Sequence, residues 1–359
     1  MRVRVGQATI GKDASEFLKG VTVILPRDPD DIYVPCYAGL HVMNGNGEVT
    51  GCYQIKDWGY TNTPIALTNS CSLGVAYQGI WSWLLNRARE KNLSLNEVSH
   101  NYGTPIAGET ADWWLNDVYQ SMLVADDVKL AFDNALTQEE VQEGQFGGGA
   151  SMTCHMFPGG TGTSSRVVKG GAGKDYTVGV LVQSNYGLKI DMQIAGVPVG
   201  KLLLKEKPED GKVKSTPGGK ADDGSIVIIL ITDAPMQPHQ LNRLAQHCGI
   251  GLSQVGGHGT ARTHSGDIFL ALSNASNTNE VVESGHLNGV GVIESNSVDL
   301  VKNESMDTMF RAASEATEEA ILNSMVAGRA GRTGTGGLFL EGFPVRRVQE
   351  LLEKYRVVV

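Results

Sequence analysis

The stretch that decides the fold of this 359-residue chain is Asp223-Gly224-Ser225-Ile226-Val227-Ile228-Ile229-Leu230-Ile231-Thr232. Its six consecutive branched aliphatic residues predict a β-strand that is buried on both faces. Residues 205–224, which precede the strand, are mostly small, polar or charged and contain no aromatic residue, as in a linker. A cut in the backbone at this junction would therefore leave the packing of the strand intact.

Ser225 lies where the linker meets the strand. It follows Gly224, and a Gly-Ser pair in this position favours self-cleavage of the Gly224–Ser225 bond. The hydroxyl of an internal serine can attack the preceding carbonyl, and hydrolysis of the resulting ester splits the chain. The new terminal serine then carries a nucleophile and an α-amine, whose ordinary pKa near ~8 lets it act as a base. Gly224 lacks a Cβ and permits a close approach at the scissile bond. A Gly-Ser pair also commonly opens a strand after a turn, so the residues alone leave both interpretations open.

The acidic composition limits the possible partners. With a net charge of -9 and a pI near 5.4, the chain has no basic stripe to neutralise phosphates, so no nucleic-acid partner is expected. No apolar run reaches the ~18–20 residues that span a bilayer, and the start does not read as a signal peptide, so we expect a cytoplasmic protein. The five cysteines and eight histidines lack zinc-binding spacing, and neither a metal nor a cofactor is expected.

Strand-like and helical patterns alternate along the chain without a regular βαβ order, which predicts an α+β fold. Strands are predicted near 21–25, 39–42 and 177–182, and helices over 75–89, 238–248, 306–325 and from Pro344 to about Tyr355. Gly249 is expected to end the second of these helices. The glycine-rich stretches 147–149 and 159–165 match no phosphate-binding motif and are expected to be loops close to the active site.

Two further places carry candidate catalytic side chains. Ser265 and Asp267 are two residues apart, so on an extended chain they face the same side, where the acid can orient the hydroxyl and poise an ammonium group. Alternatively, Ser-Gly-Asp is a sequence that commonly forms a turn. Asn185 follows a buried apolar run and can present its NH₂ group to a developing oxyanion, although it could equally form a turn close to Gly187.

Several segments resemble one known family, the L-aminopeptidase/D-Ala-esterase-amidase and β-peptidyl aminopeptidase family of self-processing serine N-terminal nucleophile hydrolases. The matching segments are Asp-Gly-Ser-Ile-Val at 223–227, Thr-Asp-Ala-Pro-Met at 232–236, Pro-His-Gln-Leu-Asn-Arg-Leu-Ala at 238–245, Val-Gly-Val-Leu-Val-Gln-Ser-Asn-Tyr-Gly at 178–187, Gly-Thr-Ser-Ser-Arg at 162–166, and Glu-Ala to Asn-Ser between 315 and 324. They cover nearly the whole chain in order. Family members usually begin well upstream of the counterpart of Val3, which suggests a further N-terminal segment.

The resemblance implies a fold, an activity and a set of roles. The fold would be a four-layer αββα sandwich formed by one domain, 1–359, cut into 1–224 and 225–359. The enzyme would be an aminopeptidase or amidase acting on small peptides, amides or esters with a free amine, and a homotetramer of processed protomers. Ser225 would be the nucleophile and Asn185 the oxyanion donor, while Ser265 and Asp267 would orient and tune the α-amine.

Glu109 would bind the ammonium group of the substrate, because the segment 108–113 resembles the family segment that carries such an acid. Alternatively, Glu109 lies in the first turn of a helix that includes Trp113 and Leu115, where the helix dipole favours an acid. Two other functions stay open. One is an acyl transfer like that of ornithine acetyltransferases, which usually use threonine as the nucleophile. The other is an unprocessed, catalytically silent relative that binds or assembles with other proteins.

Overall fold

The computed structural model describes residues 3–11, 17–208, 224–257, 263–275 and 297–355. In these ranges the strands are β1 (Arg4–Gly11), β2 (Leu18–Leu25), β3 (Cys36–Gly45), β4 (Tyr60–Thr61), β5 (Ile65–Asn69), β6 (Ile106–Thr110), β7 (Thr153–Cys154), β8 (Phe157–Pro158), β9 (Gly160–Lys169), β10 (Asp175–Asn185), β11 (Ser225–Thr232), β12 (Gly266–Ser273), β13 (Arg332–Thr333) and β14 (Phe339–Leu340). The α-helices are α1 (Cys52–Trp58), α2 (Leu73–Glu90), α3 (Leu95–Asn101), α4 (Ala125–Thr137), α5 (Val199–Glu206), α6 (Pro238–Gly256), α7 (Met306–Ala327) and α8 (Val345–Tyr355).

Two sheets form the centre of the molecule. The first has four strands in the order β1-β2-β5-β6, and the second has six in the order β4-β3-β12-β11-β10-β9. In the second sheet β11 runs parallel to β12 and antiparallel to β10. The strand that begins at Ser225 is therefore central and has a hydrogen-bonded neighbour on each side.

Three hydrophobic clusters separate four layers. One lies between the first sheet and helices α2 and α4 and includes Ile80 and Phe132. Another fills the space between the two sheets and includes Leu67. The third packs the second sheet against α6 and α7 and includes Phe269 and Ala316. The order helix, sheet, sheet, helix confirms the predicted αββα sandwich.

Strand β11 explains why its sequence is apolar throughout. Its even-numbered residues from Ile226 to Leu230 belong to the cluster under the helices, and its odd-numbered residues from Val227 to Ile231 belong to the cluster between the sheets. Every residue of the strand is buried. The predicted strand with two buried faces is confirmed, as are the strands near 21–25, 39–42 and 177–182 and the helices over 75–89 and 306–325.

The end predicted for helix α6 is wrong. The helix continues through Gly249 and ends at Gly256. Gly251 permits close packing of two helices, because a Cβ there would lie 2.2 Å from the Ser314 carbonyl oxygen on α7. The requirement for a small residue at a helix crossing and the signal for a helix end both select glycine, and the sequence does not separate them.

Two other expectations need correction. Residues 160–165 are part of β9 rather than a loop, and a Cβ on Gly162 would lie 1.9 Å from the Ala320 carbonyl oxygen, so this glycine allows α7 to approach the sheet. The expected linker 205–224 begins too early, since Lys205 and Glu206 belong to α5. Residues 209–223 lie outside the described ranges. None of the described helices combines the length and the apolar composition needed to cross a membrane.

Candidate active site

Ser225 is the first residue of β11 and is buried, with 5% of its surface exposed. Its neighbours across the sheet are Asn185, the last residue of β10, and Gly266, the first residue of β12. The Gly266 backbone N–H donates a hydrogen bond of 3.2 Å to Ser225 Oγ. A donor at this distance stabilises the oxygen when its proton leaves, which is what a nucleophilic hydroxyl requires.

Gly224 is held closely against the preceding strand. A Cβ at this position would lie 2.9 Å from Tyr186 Cα and 3.0 Å from the Asn185 carbonyl oxygen. No side chain fits there without a shift of the backbone, so the residue before Ser225 must be glycine for β11 to begin where it does.

Ser265 and Asp267 form a buried pair directly beside the start of β11. Ser265 Oγ donates to Asp267 Oδ1 at 2.8 Å, and both residues are fully buried. Asp267 is the register partner of Ile226, so its side chain points to the same face as Ile226 and lies diagonally across from Ser225. Its second oxygen, Oδ2, accepts no hydrogen bond from any described residue. That oxygen can therefore accept a further hydrogen bond.

Burial raises the pKa of Asp267 from its ordinary value of 3.8 to about 7, although the Ser265 hydroxyl and the backbone of Ile226 favour the ionised form. A carboxyl group with this pKa responds strongly to a neighbouring charge. A new ammonium group at Ser225 would favour its ionisation.

This pKa predicts how the stability of the unprocessed chain depends on pH. An unfolded Asp267 loses its proton near pH 3.8, whereas the folded chain keeps it up to about pH 7, so the folded state binds more protons between these values. The contribution of Asp267 to the free energy of unfolding is therefore complete below the lower pH and falls as the pH rises to about 7. We expect this fall, on the order of a few kcal/mol, in Ser225→Ala and not in Ser225→Ala/Asp267→Asn.

Urea denaturation of both variants at a series of pH values measures the difference. Asp112 and the other carboxyl groups are common to both, so their contributions cancel. Equal pH dependence in the two variants would show that Asp267 ionises normally in the folded chain.

The amide of Asn185 is held from both sides. Its Oδ1 accepts from the Thr153 backbone N–H at 2.9 Å, and its Nδ2 donates to the Ala111 carbonyl oxygen at 2.6 Å. An amide NH₂ has two hydrogens, so the second N–H of Nδ2 is available to another acceptor. Because Asn185 and Ser225 are register partners, their side chains face the same side of the sheet, as an oxyanion donor next to a nucleophile requires.

Glu109 lies in strand β6, not in a helix, so the alternative placement in a first helical turn is wrong. Residues 113–115 form a turn. Glu109 Oε1 accepts from the Glu48 N–H at 2.9 Å, and Oε2 accepts from the Ser70 hydroxyl. A Cβ on Gly47 would lie 3.4 Å from Glu109 Oε1 and 3.0 Å from Gly266 Cα, which places Glu109 close to the Ser225 end of the second sheet. Burial raises the pKa of Glu109.

The structure thus places all five side chains that the sequence selects around the start of β11, with Asp267 on the opposite face of the sheet from Ser225 and Asn185, and adds others. Sequence reasoning missed Ser70, Thr153 and the carbonyl group of Ala111, which fix Glu109 and Asn185. No sequence pattern identifies a backbone group as a partner of a distant side chain. Among the described residues, no group of three or more His, Cys, Asp or Glu side chains could hold a metal ion.

An αββα sandwich with a serine at the start of a central strand, preceded by a tightly packed glycine, is typical of an N-terminal nucleophile hydrolase. The family model that matches the chain is Peptidase family S58, over residues 1–337, and the chain belongs to this family. It is therefore an enzyme, an aminopeptidase/amidase of the N-terminal nucleophile type, and the family resemblance of the sequence is confirmed.

Curated relatives agree with this assignment. The beta-peptidyl aminopeptidase BapA of Sphingosinicella microcystinivorans is 37% identical over 356 residues, which are 98% of this chain and 84% of that protein. The protein of the same name from Sphingosinicella xenopeptidilytica is 36% identical over 351 residues, or 97% of this chain and 82% of its own.

Solved structures share the whole fold. A Burkholderia sp. beta-aminopeptidase superposes with a TM-score of 0.83 at 36% identity and covers 100% of this chain and 93% of its own. The L-aminopeptidase D-Ala-esterase/amidase from Ochrobactrum anthropi is described as a prototype for the serine aminopeptidases. It gives a TM-score of 0.82 at 35% identity, and the match covers 98% of this chain and 92% of that protein.

Proposed function

We propose that the chain cleaves itself between Gly224 and Ser225 and that the processed enzyme releases the first residue of peptides, amides or esters with a free amine. The observation that carries this proposal is the position of Ser225. It begins a central strand between Asn185 and the Ser265–Asp267 pair, and its hydroxyl accepts a backbone N–H. The single domain 1–359 would then consist of two fragments, 1–224 and 225–359, in one fold.

Self-cleavage needs no group from outside the chain except water. Ser225 Oγ attacks the carbonyl carbon of Gly224, the C–N bond breaks, and the hydroxyl proton passes to the nitrogen that leaves. The product is an ester between Gly224 and Ser225 Oγ, with a free α-amine on Ser225. Water hydrolyses the ester and leaves a carboxylate on Gly224. Gly224 suits this step because the attacked carbonyl group carries no side chain that would obstruct the approach.

Turnover uses the same hydroxyl with a new base. The α-amine of Ser225 takes the hydroxyl proton while Oγ attacks the carbonyl carbon of the substrate's first residue. The free N–H of Asn185 Nδ2 stabilises the oxyanion, and the leaving amine or alcohol receives the proton from the α-ammonium group. Water then attacks the acyl-enzyme and releases the free amino acid. Ser265 and Asp267 hold the α-amine in place and compensate its charge.

Glu109 supports a preference for substrates with a free amine. Its carboxylate would pair with the substrate's ammonium group close to Ser225, and a blocked terminus would leave it unpaired in a largely buried place. The relatives named above include beta-peptidyl aminopeptidases and an L-aminopeptidase that is also a D-Ala-esterase/amidase. Substrates with L-α-, β- and D-alanyl first residues are therefore the classes to compare.

The proposed activity is tested with a panel of p-nitroanilides, amides and methyl esters of these three classes, each with a free and an N-acetylated amine. We expect hydrolysis of free-amine substrates only, by protein whose intact mass shows two fragments. Hydrolysis of acetylated substrates at equal rates would contradict an exopeptidase. A processed protein that hydrolyses no member of the panel would contradict the proposed activity.

Glu109→Gln is expected to raise KM for free-amine substrates by about 10- to 100-fold, because it removes a charge-assisted hydrogen bond to the ammonium group. The matched control is Glu48→Gln, which removes the same charge from an exposed neighbour whose backbone N–H, not its side chain, contacts Glu109. KM from initial rates decides the question. An equal KM for Glu109→Gln and the control would show that the ammonium group binds elsewhere.

Assembly and location stay predictions. The homotetramer that the family resemblance implies is checked by size-exclusion chromatography with light scattering on the processed protein. The cytoplasmic location is checked by cell fractionation.

A further inference from the structure

The two hydrogen bonds that hold the Asn185 amide come from segments that are distant in sequence. Ala111 lies between β6 and the turn at 113–115, and Thr153 begins β7. Neither segment is part of the second sheet, on which Asn185 and Ser225 lie. The direction of the free N–H of Asn185 therefore depends on whatever fixes these two segments.

The segment that contains Ala111 is fixed by the next residue, Asp112. Asp112 is 1% exposed, and its Oδ2 accepts from Asn69 Nδ2 at 2.8 Å and from Asn116 Nδ2 at 2.5 Å. Asn116 in turn binds the backbone of Leu18 with both ends of its amide, at 3.0 and 3.2 Å. A buried acid thus ties the segment after β6 to strands β5 and β2.

The segment that contains Thr153 is fixed by Gln145 and by Arg332. Gln145 Oε1 accepts from the Ser151 backbone N–H at 3.0 Å, and Gln145 Nε2 donates to the Met152 carbonyl oxygen at 2.8 Å. Arg332 is 5% exposed. Arg332 Nη2 donates to Ser151 Oγ at 2.9 Å, and Ser151 Oγ donates to the Leu18 carbonyl oxygen at 2.9 Å. Ser151 has φ of 61°, in the left-handed region that residues other than glycine rarely adopt. This conformation persists only where the surroundings hold it, and the contacts with Gln145 and Arg332 do so together.

The contacts of Asp112 and those of Arg332 meet at one backbone atom. The Leu18 carbonyl oxygen accepts from Asn116 on one side and from Ser151 on the other. The positive charge of Arg332 also acts on Asp112, opposing the burial that raises the pKa of this carboxyl group to about 6. Two buried, oppositely charged side chains from positions 112 and 332 thus belong to one hydrogen-bonded frame around the Asn185 amide.

We propose that Asp112 and Arg332 are positioning residues that direct the free N–H of Asn185 toward the oxyanion. This inference rests on the oxyanion role proposed for Asn185 and extends it to two residues that do not touch the substrate. A displacement of ~1 Å at a catalytic donor can cost about 100-fold in rate. Loosening either segment therefore lowers kcat and leaves KM nearly unchanged.

The kinetic test is a set of double-mutant cycles with Asn185→Ala. Asp112→Asn and Arg332→Met are each expected to lower kcat by about 10- to 100-fold in the wild type and to have no further effect in Asn185→Ala. Ser273→Ala is the matched control, since it removes a buried hydroxyl, bonded to the Ala234 carbonyl oxygen, at the far end of β12. Equal losses of kcat with and without Asn185 would overturn the proposal.

Removing one charge of a buried pair can destabilise the fold, so Asp112→Asn/Arg332→Met serves as the second variant. It leaves no uncompensated charge and is expected to lose no more kcat than either single variant. A loss equal to the product of the two single losses would contradict a common frame.

A second measurement requires no substrate. Selective ¹⁵N labelling of asparagine in the unprocessed Ser225→Ala chain displays the Asn185 side-chain NH₂, identified by its absence in Asn185→Asp. Its hydrogen exchange is expected to accelerate at least about tenfold on Asp112→Asn and to stay unchanged on Ser273→Ala. Unchanged exchange and chemical shift would overturn the positioning role. A wild type without hydrolytic activity would instead contradict the proposed function, while this measurement still decides the role of Asp112.

Discussion

Ser225→Ala is expected to remain a single chain of 38.4 kDa, whereas the wild type separates into fragments of 224 and 359 − 224 = 135 residues. The substitution removes the only atom in this position that can attack the Gly224 carbonyl carbon. Without cleavage there is also no α-amine to serve as a base, so hydrolysis of free-amine substrates should fall by ~10⁴-fold or more. Intact mass spectrometry and N-terminal sequencing measure the first effect, and initial rates measure the second.

The smaller fragment of the wild type should begin with Ser-Ile-Val-Ile. Ser273→Ala serves as the control, because it removes another buried serine hydroxyl at the opposite end of the neighbouring strand and should process normally. Two fragments in Ser225→Ala would mean that another protease cuts the chain. An intact wild type would favour the silent binding protein among the functions left open by the sequence.

The sequence predicts β11 well because the burial of a strand on both faces requires apolar residues in succession. Few other structures place six branched aliphatic residues in a row, and Ser225 directly before them is recognisable as the start of a rigid element. The pairing of Ser265 with Asp267 is likewise predictable, because it depends only on their spacing along the chain. Two residues in extended conformation point to one side, and the structure shows their hydrogen bond of 2.8 Å.

The contacts that hold the Asn185 amide were beyond prediction from the sequence alone. Thr153 and Ala111 contribute backbone atoms, which every residue possesses, and Arg332 is 181 positions from the Ser151 hydroxyl that it contacts. Nothing in the residue types of 108–113 shows that Glu109 lies in a strand that ends at Thr110, while Asp112 lies beyond it. The pairing of β6 with β5, which runs to Asn69 and Thr110, and not local preference places Glu109 in a strand.

The two faces of the second sheet divide the proposed work. Ser225 is two residues from Val227 and therefore points to the same face of the sheet, which packs against the first sheet. Asn185, its register partner, points the same way, and Glu109 belongs to the first sheet. Asp267 is two residues from Phe269 in β12, so its side chain points to the same face as Phe269, toward the helical layer. The proposed nucleophile and the proposed oxyanion donor therefore face the first sheet, while Asp267, the acid proposed to compensate the α-amine, lies on the opposite face of the second sheet.

Asn185→Ala is expected to lower kcat for amide substrates by ~10²–10³-fold with little change in KM, because a donor aimed at the oxyanion acts in the transition state and not in the bound substrate. Initial rates over a range of substrate concentrations separate kcat from KM. The substitution also leaves the Thr153 N–H and the Ala111 carbonyl oxygen without their partner, at a cost of about 1–3 kcal/mol each. Thermal unfolding must therefore show that the variant is folded at the assay temperature.

Asn185→Asp separates the donor from the acceptor of this amide. An ionised aspartate still accepts from the Thr153 N–H, but it has no N–H to donate to the Ala111 carbonyl oxygen or to the oxyanion. It should therefore lose at least as much kcat as the alanine variant. Ser184→Ala is the matched control, since it alters the adjacent residue of β10, whose hydroxyl contacts Ser324 on α7. A kcat for Asn185→Asp close to that of the wild type would show that another group stabilises the oxyanion, because Asn185 would then serve only to hold the backbone at Thr153.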